Sequence, residues 1–187
     1  YMAGQAVQSV WAYFGIERFS WSEKMIGISL GVVGLLIGLV QGVLIRYINP
    51  KLGNTKSIYA GFALYAIGLI LFAFATQGWM MFIFLIPYCL GGIAGPALQS
   101  IITGHVPSNE QGELQGALTS LISATSIISP PIMTNLFAHF TSKKAALYFP
   151  GAPFLLGAVL MIAAGIVAYK VLSKEKEGRD YVTKAPT

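Results

Sequence analysis

From Ser57 to Gly104 the chain carries no Asp, Glu, Lys or Arg. That gap holds two membrane crossings of about 20 residues each with a turn between them. The turn is marked at Gln77-Gly78-Trp79, a tight polar corner beside an aromatic suited to a membrane interface. Charged residues make up roughly a quarter of a soluble domain, but only 10% of this chain. The predicted surroundings are therefore lipid. A net charge of +5 is then no nucleic-acid footprint, because the basic residues fall in short loops and a tail where they act as topology signals. Cys89 is the only cysteine and lies in an apolar run, so a small packed hydrophobe is expected rather than a disulfide.

Extending this reading along the chain gives an all-α membrane protein with six transmembrane segments. Residues 1–15 resemble the second part of a helix whose start lies upstream, since they are too short to cross and carry no signal-peptide pattern. Residues 16–24 form a polar turn with Trp21 at the interface. Met25–Ile45 is the second span, followed by a basic turn over Arg46–Lys56 with Pro50 and Gly53. Ser57–Thr76 and Met80–Gly104 are the third and fourth. The fifth starts after a polar hairpin and reaches about Phe140. Thr141–Gly151 is a turn, and Pro153–Tyr169 with its flanks is the sixth. Residues 1–172 thus form the membrane domain and 173–187 a charged cytoplasmic tail, expected to be disordered. Six segments put both ends on one side. Eight basic residues lie there (Arg46, Lys51, Lys56, Lys170, Lys174, Lys176, Arg179, Lys184) against four opposite (Arg18, Lys24, Lys143, Lys144). The excess places both ends in the cytoplasm.

Two helices carry distinctive faces. The second span has Gly27, Gly31, Gly34, Gly38 and Gly42 along one side, a ladder expected to pack against a close neighbour. The fifth opens on Ser108, a predicted N-cap completed by Gln111 as a capping box. It then shows a small-residue seam at Gly112, Gly116, Ser120 and Ala124 beside a polar seam at Gln115, Thr119, Ser123 and Ser126. Pro130 and Pro131 are expected to bend it, and Gly95-Pro96 in the fourth span to act likewise as a packing or hinge point.

The chemistry available is uncharged. No Asp, Glu, Lys or Arg falls inside the apolar length of a predicted span, so no proton-relay carboxylate is visible. No catalytic residues are identified: Ser, His and Asp do not cluster, and no glycine-rich phosphate loop follows a strand. His105 and His139 sit near opposite bilayer faces, so no metal site and no cofactor are expected. What remains is a set of neutral polar side chains at membrane depth: Gln5, Gln8, Gln41, Gln99, Gln115, Thr119, Ser123, Ser126 and Asn135. Bonds between helices account for the hydroxyls. A long amide is costly in hydrocarbon unless it meets water, a solute or a partner, so the glutamines, together with Thr119, Ser123 and Asn135, are candidates for lining a substrate cavity.

Several strings carry a family resemblance: Gly4-Gln5, Glu17-Arg18-Phe19 with Trp21, Gly91-Gly92-Ile93-Ala94, Pro96-Ala97-Leu98-Gln99, and above all Gln111-Gly112-x-Leu114-Gln115-Gly116 followed by Ser120-Leu121 and Pro130. With six spans, the chain resembles the C-terminal half, helices seven to twelve, of a major facilitator superfamily transporter. The similarity is to the branch of tetracycline exporters and drug–proton antiporters. The resemblance implies a partner half of six helices upstream, a central site for a small molecule and alternating access coupled to protons. It also implies that the first, second, fourth and fifth segments line the cavity while the third and sixth are peripheral. The exporters' acid in the third segment and histidine in the second correspond roughly to Tyr65 and Ile37. The resemblance therefore carries over neither tetracycline itself nor a coupling acid in this half. Expected is efflux of a drug-like or amphipathic solute across the cytoplasmic membrane. The alternatives are a non-transporting six-helix scaffold or solute sensor, and a half that works as a homodimer.

Overall fold

The computed structural model describes residues 1–143, 145 and 147–184, the side chains of 174–184 excepted. Lys144 and the basic side chains of the tail, on which part of the charge comparison rests, lie outside the described residues. Every regular element among them is helical. Five helical stretches are long and apolar enough to cross a membrane: Glu23–Leu52, Asn54–Ala73, Gly78–Gly104, Gln111–Thr141 and Ala152–Ser173.

Helix α1 (Met2–Phe19) ends where Ser20 turns left-handed at φ 54°, and the amides of Ser20 and Trp21 donate back to the carbonyls of Ile16 and Gly15. Ser22 then caps α2 (Glu23–Leu39), accepting the Met25 amide at 3.3 Å. Trp21 does not lie loose at the interface as its position suggested. A Cβ on Gly15 would fall 2.5 Å from its ring, and one on Gly78 2.6 Å from its indole nitrogen. The two bare glycines make the slot that draws it inward, against Phe19 and Phe82.

The basic turn expected at Arg46–Lys56 is helical for most of its length. Helix α2 passes through a π-helical turn, Val40–Leu44, into α3 (Ile45–Leu52), with Pro50 inside it. The break shrinks to Gly53, whose φ of 76° suits a residue without a side chain, and α4 (Asn54–Ala73) follows at once. Helix α5 (Gly78–Leu90) joins α6 (Ala94–Gly104) through one 3₁₀ turn at Gly91–Ile93. Helix α7 (Gln111–Thr141) starts without a side-chain cap. The capping box on Ser108 is absent because a turn closed by the Glu110 amide on the Pro107 carbonyl takes up that segment. Through Pro130 and Pro131 α7 remains helical. Thr134 and Asn135 fold back there to donate to the Pro130 and Pro131 carbonyls at 2.8 and 2.7 Å. Helix α8 (Ala152–Lys184) continues through the tail expected to be disordered, since extending an existing helix needs no new nucleus.

The third segment, expected not to line the cavity, is the packing centre of the described structure. Helix α4 lies against α8, α5 and α6, while α1 lies against α7 and α8. Phe14, Leu69, Phe72, Met81, Leu85, Met133 and Phe154 are fully buried between them. Phe154 meets Phe14 and Phe72 edge-on or tilted, at 5.0 and 5.7 Å. Three glycines permit the close approach of α4 to the fourth segment. A Cβ on Gly61 would reach Ala94, one on Gly68 the Tyr88 backbone, and one on Gly91 Tyr65, all under 3.0 Å. Sequence spacing did not single out Gly61 or Gly68, because neither belongs to a dense ladder.

Candidate solute pathway

The polar faces of α1 and α7 meet. Gln5, half-buried on α1, donates its side-chain amide to the Ser126 hydroxyl of α7 at 2.9 Å. On an ideal helix Gln115, Thr119 and Ser123 fall roughly on the Ser126 side of α7, and all are exposed. Gln8, one turn along α1 from Gln5, is exposed as well. The sequence places these residues on one face each, and the fold sets the two faces side by side.

Other expected site residues lie elsewhere. Asn135 is nine residues beyond Ser126, which puts it about half a turn round the helix. It lines an open groove of about 750 Å³ with Pro131, His139 and Leu156, and its amide donates to the Pro131 carbonyl. Gln41 is exposed on the π-helical turn and Gln99 half-buried on α6. Among the described residues no hydrogen bond joins the side chain of either to the Gln5–Ser126 pair.

Among the described residues, none packs on the glycine ladder. A Cβ added at Gly27, Gly31, Gly34, Gly38 or Gly42 meets nothing within 4 Å, and the same holds for Gly95, Gly112 and Gly116. No helix of this chain fills that face among the described residues. Ties between α1 and α2 lie on the far side of α2, where the buried Trp11 indole donates to Ser29 at 2.9 Å and Ser29 to the Ile26 carbonyl at 2.7 Å.

A further polar pair was not singled out from sequence. Tyr65 on α4 donates to Tyr88 on α5 through their hydroxyls at 2.9 Å. A Cβ on Gly4 would come within 3.2 Å of the Tyr65 oxygen, so α1 borders this pair one residue from Gln5. The only signal available was Tyr65 itself, standing where the resembling exporters carry an acid.

The chain matches the Major Facilitator Superfamily over residues 1–186. It belongs to that superfamily. It is 40% identical to the class C tetracycline resistance protein of Escherichia coli over 161 residues, 86% of this chain and 39% of that protein. To the class E protein of the same organism it is 42% identical over 137 residues, 73% and 34% of the two chains. To the class G protein of Vibrio anguillarum it is 35% identical over 161 residues, 86% and 40%. The chain spans about two fifths or less of the length of these relatives. No solved structure matches it. Superfamily membership and the apolar helices together make this a multi-pass membrane protein.

Proposed function

We propose that this chain is the C-terminal half of a proton-linked exporter of small drug-like or amphipathic solutes in the cytoplasmic membrane. The observation that carries the reading is the Gln5–Ser126 contact, which joins two uncharged polar helix faces, in a chain whose relatives are named for tetracycline resistance. Such faces bind a neutral or amphipathic solute by hydrogen bonds without the desolvation cost of a buried charge. Gln5, Gln8, Gln115, Thr119 and Ser123 line the solute pathway on the side facing a second half of six helices. The bare glycine faces at Gly27–Gly42 and Gly112–Gly116 are where that half slides during rocking. Both ends of the six-helix unit are cytoplasmic. Among the described residues Glu23 and Glu113 lie only in the first turns of their helices and no acid lies deeper in a span, so the coupling proton is carried by the other half. The chain performs transport and no chemical conversion.

Efflux of a fluorescent amphipathic substrate by the intact protein tests this reading, with and without a protonophore, beside a Gln115→Ala variant. Efflux should stop when the proton gradient is dissipated and slow in the variant. Undiminished efflux without the gradient removes the coupling, and no efflux of any amphipathic probe removes the transport reading.

A further inference from the structure

At the end of the bundle that carries residues 142–151, two cavities adjoin. One is an apolar groove of about 550 Å³ along α7 and α8, walled by Leu136, Phe140, Leu155, Leu156 and Val159. The other is a smaller pocket of about 150 Å³ that contains Arg18, Thr76 and Tyr148. Phe74 and Phe149 line both, so the two adjoin across this aromatic pair.

The junction is firmly built. A Cβ on Gly151 would collide with the Ala73 carbonyl, so the loop is seated directly on the end of α4. The Phe149 amide donates to the Phe140 carbonyl at 3.1 Å, and its ring lies 5.7 Å from that of Phe74. Tyr148 donates to the Glu17 carboxylate at 3.0 Å, which occupies the one acidic group at the pocket. Arg18 forms no ion pair among the described residues. Among the described residues the Thr76 hydroxyl meets only the Met80 sulfur at 3.5 Å, a weak acceptor. The pocket therefore offers a guanidinium outside any ion pair, with the Glu17 carboxylate turned to Tyr148, and an exposed hydroxyl at the mouth of a dry groove. Lys143 follows in the same loop. These are also the basic residues that run against the positive-inside excess, and topology gives them no role.

We infer that this groove and pocket form a site for one anionic phospholipid, with an acyl chain along α7–α8 and the phosphate at Arg18 and Thr76. The walls belong to two membrane-spanning helices, so acyl chains are already their solvent. Arg18 stands at the helix end, where head groups lie, and a guanidinium matches two phosphate oxygens at once. The site is separate from the proposed solute pathway and does not depend on it.

Native mass spectrometry of the intact protein in detergent tests the inference, with phosphatidylglycerol and phosphatidylcholine of identical chains. Phosphatidylglycerol should be retained preferentially. Arg18→Gln should weaken it by about five-fold, the effect of one basic residue at a lipid surface, and leave phosphatidylcholine unchanged. Arg18→Lys should keep the preference, and Val159→Trp, which fills the groove, should weaken both lipids. Glycerol 3-phosphate, the head group without chains, should not displace the lipid. Unaltered melting temperatures establish that these exposed positions leave the fold intact. Equal retention of the two lipids overturns the site, as does displacement by glycerol 3-phosphate. So does a photo-crosslinker at position 159 that labels the protein's own chain instead of lipid in native membranes.

Discussion

Replacing Gly68 by Ala tests the packing of this bundle at a close helix crossing. The new methyl would sit 2.8 Å from the nitrogen, Cα and Cβ of Tyr88, where ordinary contact starts at 3.4 Å. Two of those atoms are backbone and the third is fixed to it, so no flexible side chain can yield. Helices α4 and α5 must part by about 0.6 Å, and a gap of 0.5–1 Å forfeits a quarter to a half of each dispersion contact it opens. Leu69, Phe72, Leu85 and Tyr88 are all buried near this crossing, and overpacking of such a core costs about 1–3 kcal/mol. Alanine recovers about 1 kcal/mol of helix propensity, which leaves a net loss of about 0–2 kcal/mol. Gly34→Ala is the matched control. It meets nothing within 4 Å and should be neutral or stabilising by up to about 1 kcal/mol. Unfolding of this chain in mixed micelles of rising sodium dodecyl sulfate reads both. Equal shifts for the two variants would refute the reasoning, since it rests wholly on what each methyl touches.

Further outcomes are expected at other positions. Trp11→Phe removes the buried bond to Ser29 but leaves Ser29 bonded to Ile26, so it should cost about 1 kcal/mol; a loss near zero in the same unfolding assay would mean that the indole bond contributes nothing. A double-mutant cycle of Gln5→Ala and Ser126→Ala should give a coupling of about 0.6 kcal/mol, and additive effects would deny the α1–α7 contact. In the intact protein Gly34→Leu should slow efflux by blocking the glycine face while leaving substrate binding unchanged, and undiminished efflux would place that face in lipid. Burial, together with the hydrogen bond and charge of Glu17, raises the Tyr148 phenol above its usual 10.0. A raised value favours the neutral donor, so its contribution is fully present below the ordinary value and is lost as pH rises through the raised one. The stability difference from Tyr148→Phe should accordingly stay constant from neutrality to pH 10.0 and be lost as the pH rises through the raised value; a difference that fades near neutrality would contradict this.

Much of the architecture is legible in the residues. Lipid imposes helices on any apolar stretch of spanning length, because no other local structure satisfies its backbone. The charge-free run over 57–104 therefore dictates helices before any neighbour is known. Boundaries were less legible: Pro50 looked like a turn residue, yet α3 runs through it to Gly53. A proline in an established helix removes one bond of many, and the left-handed glycine is the stronger stop.

Which faces touch is a different kind of information. The five glycines of α2 and the scattered Gly61 and Gly68 of α4 are the same residue in similar apolar surroundings. Spacing favours the first set, while the fold places helices against the second and leaves the first bare. Likewise the helical period groups Gln115, Thr119, Ser123 and Ser126 on one side of α7, but only the packing of α1 brings Gln5 to Ser126. The reason is physical: helix formation in lipid is settled within each segment by its own backbone, whereas contact between helices depends on the shapes of two surfaces far apart in sequence. The residues by themselves determined that this chain is a set of uncharged membrane helices with polar and small faces, and the tertiary structure alone decided which of those faces meet.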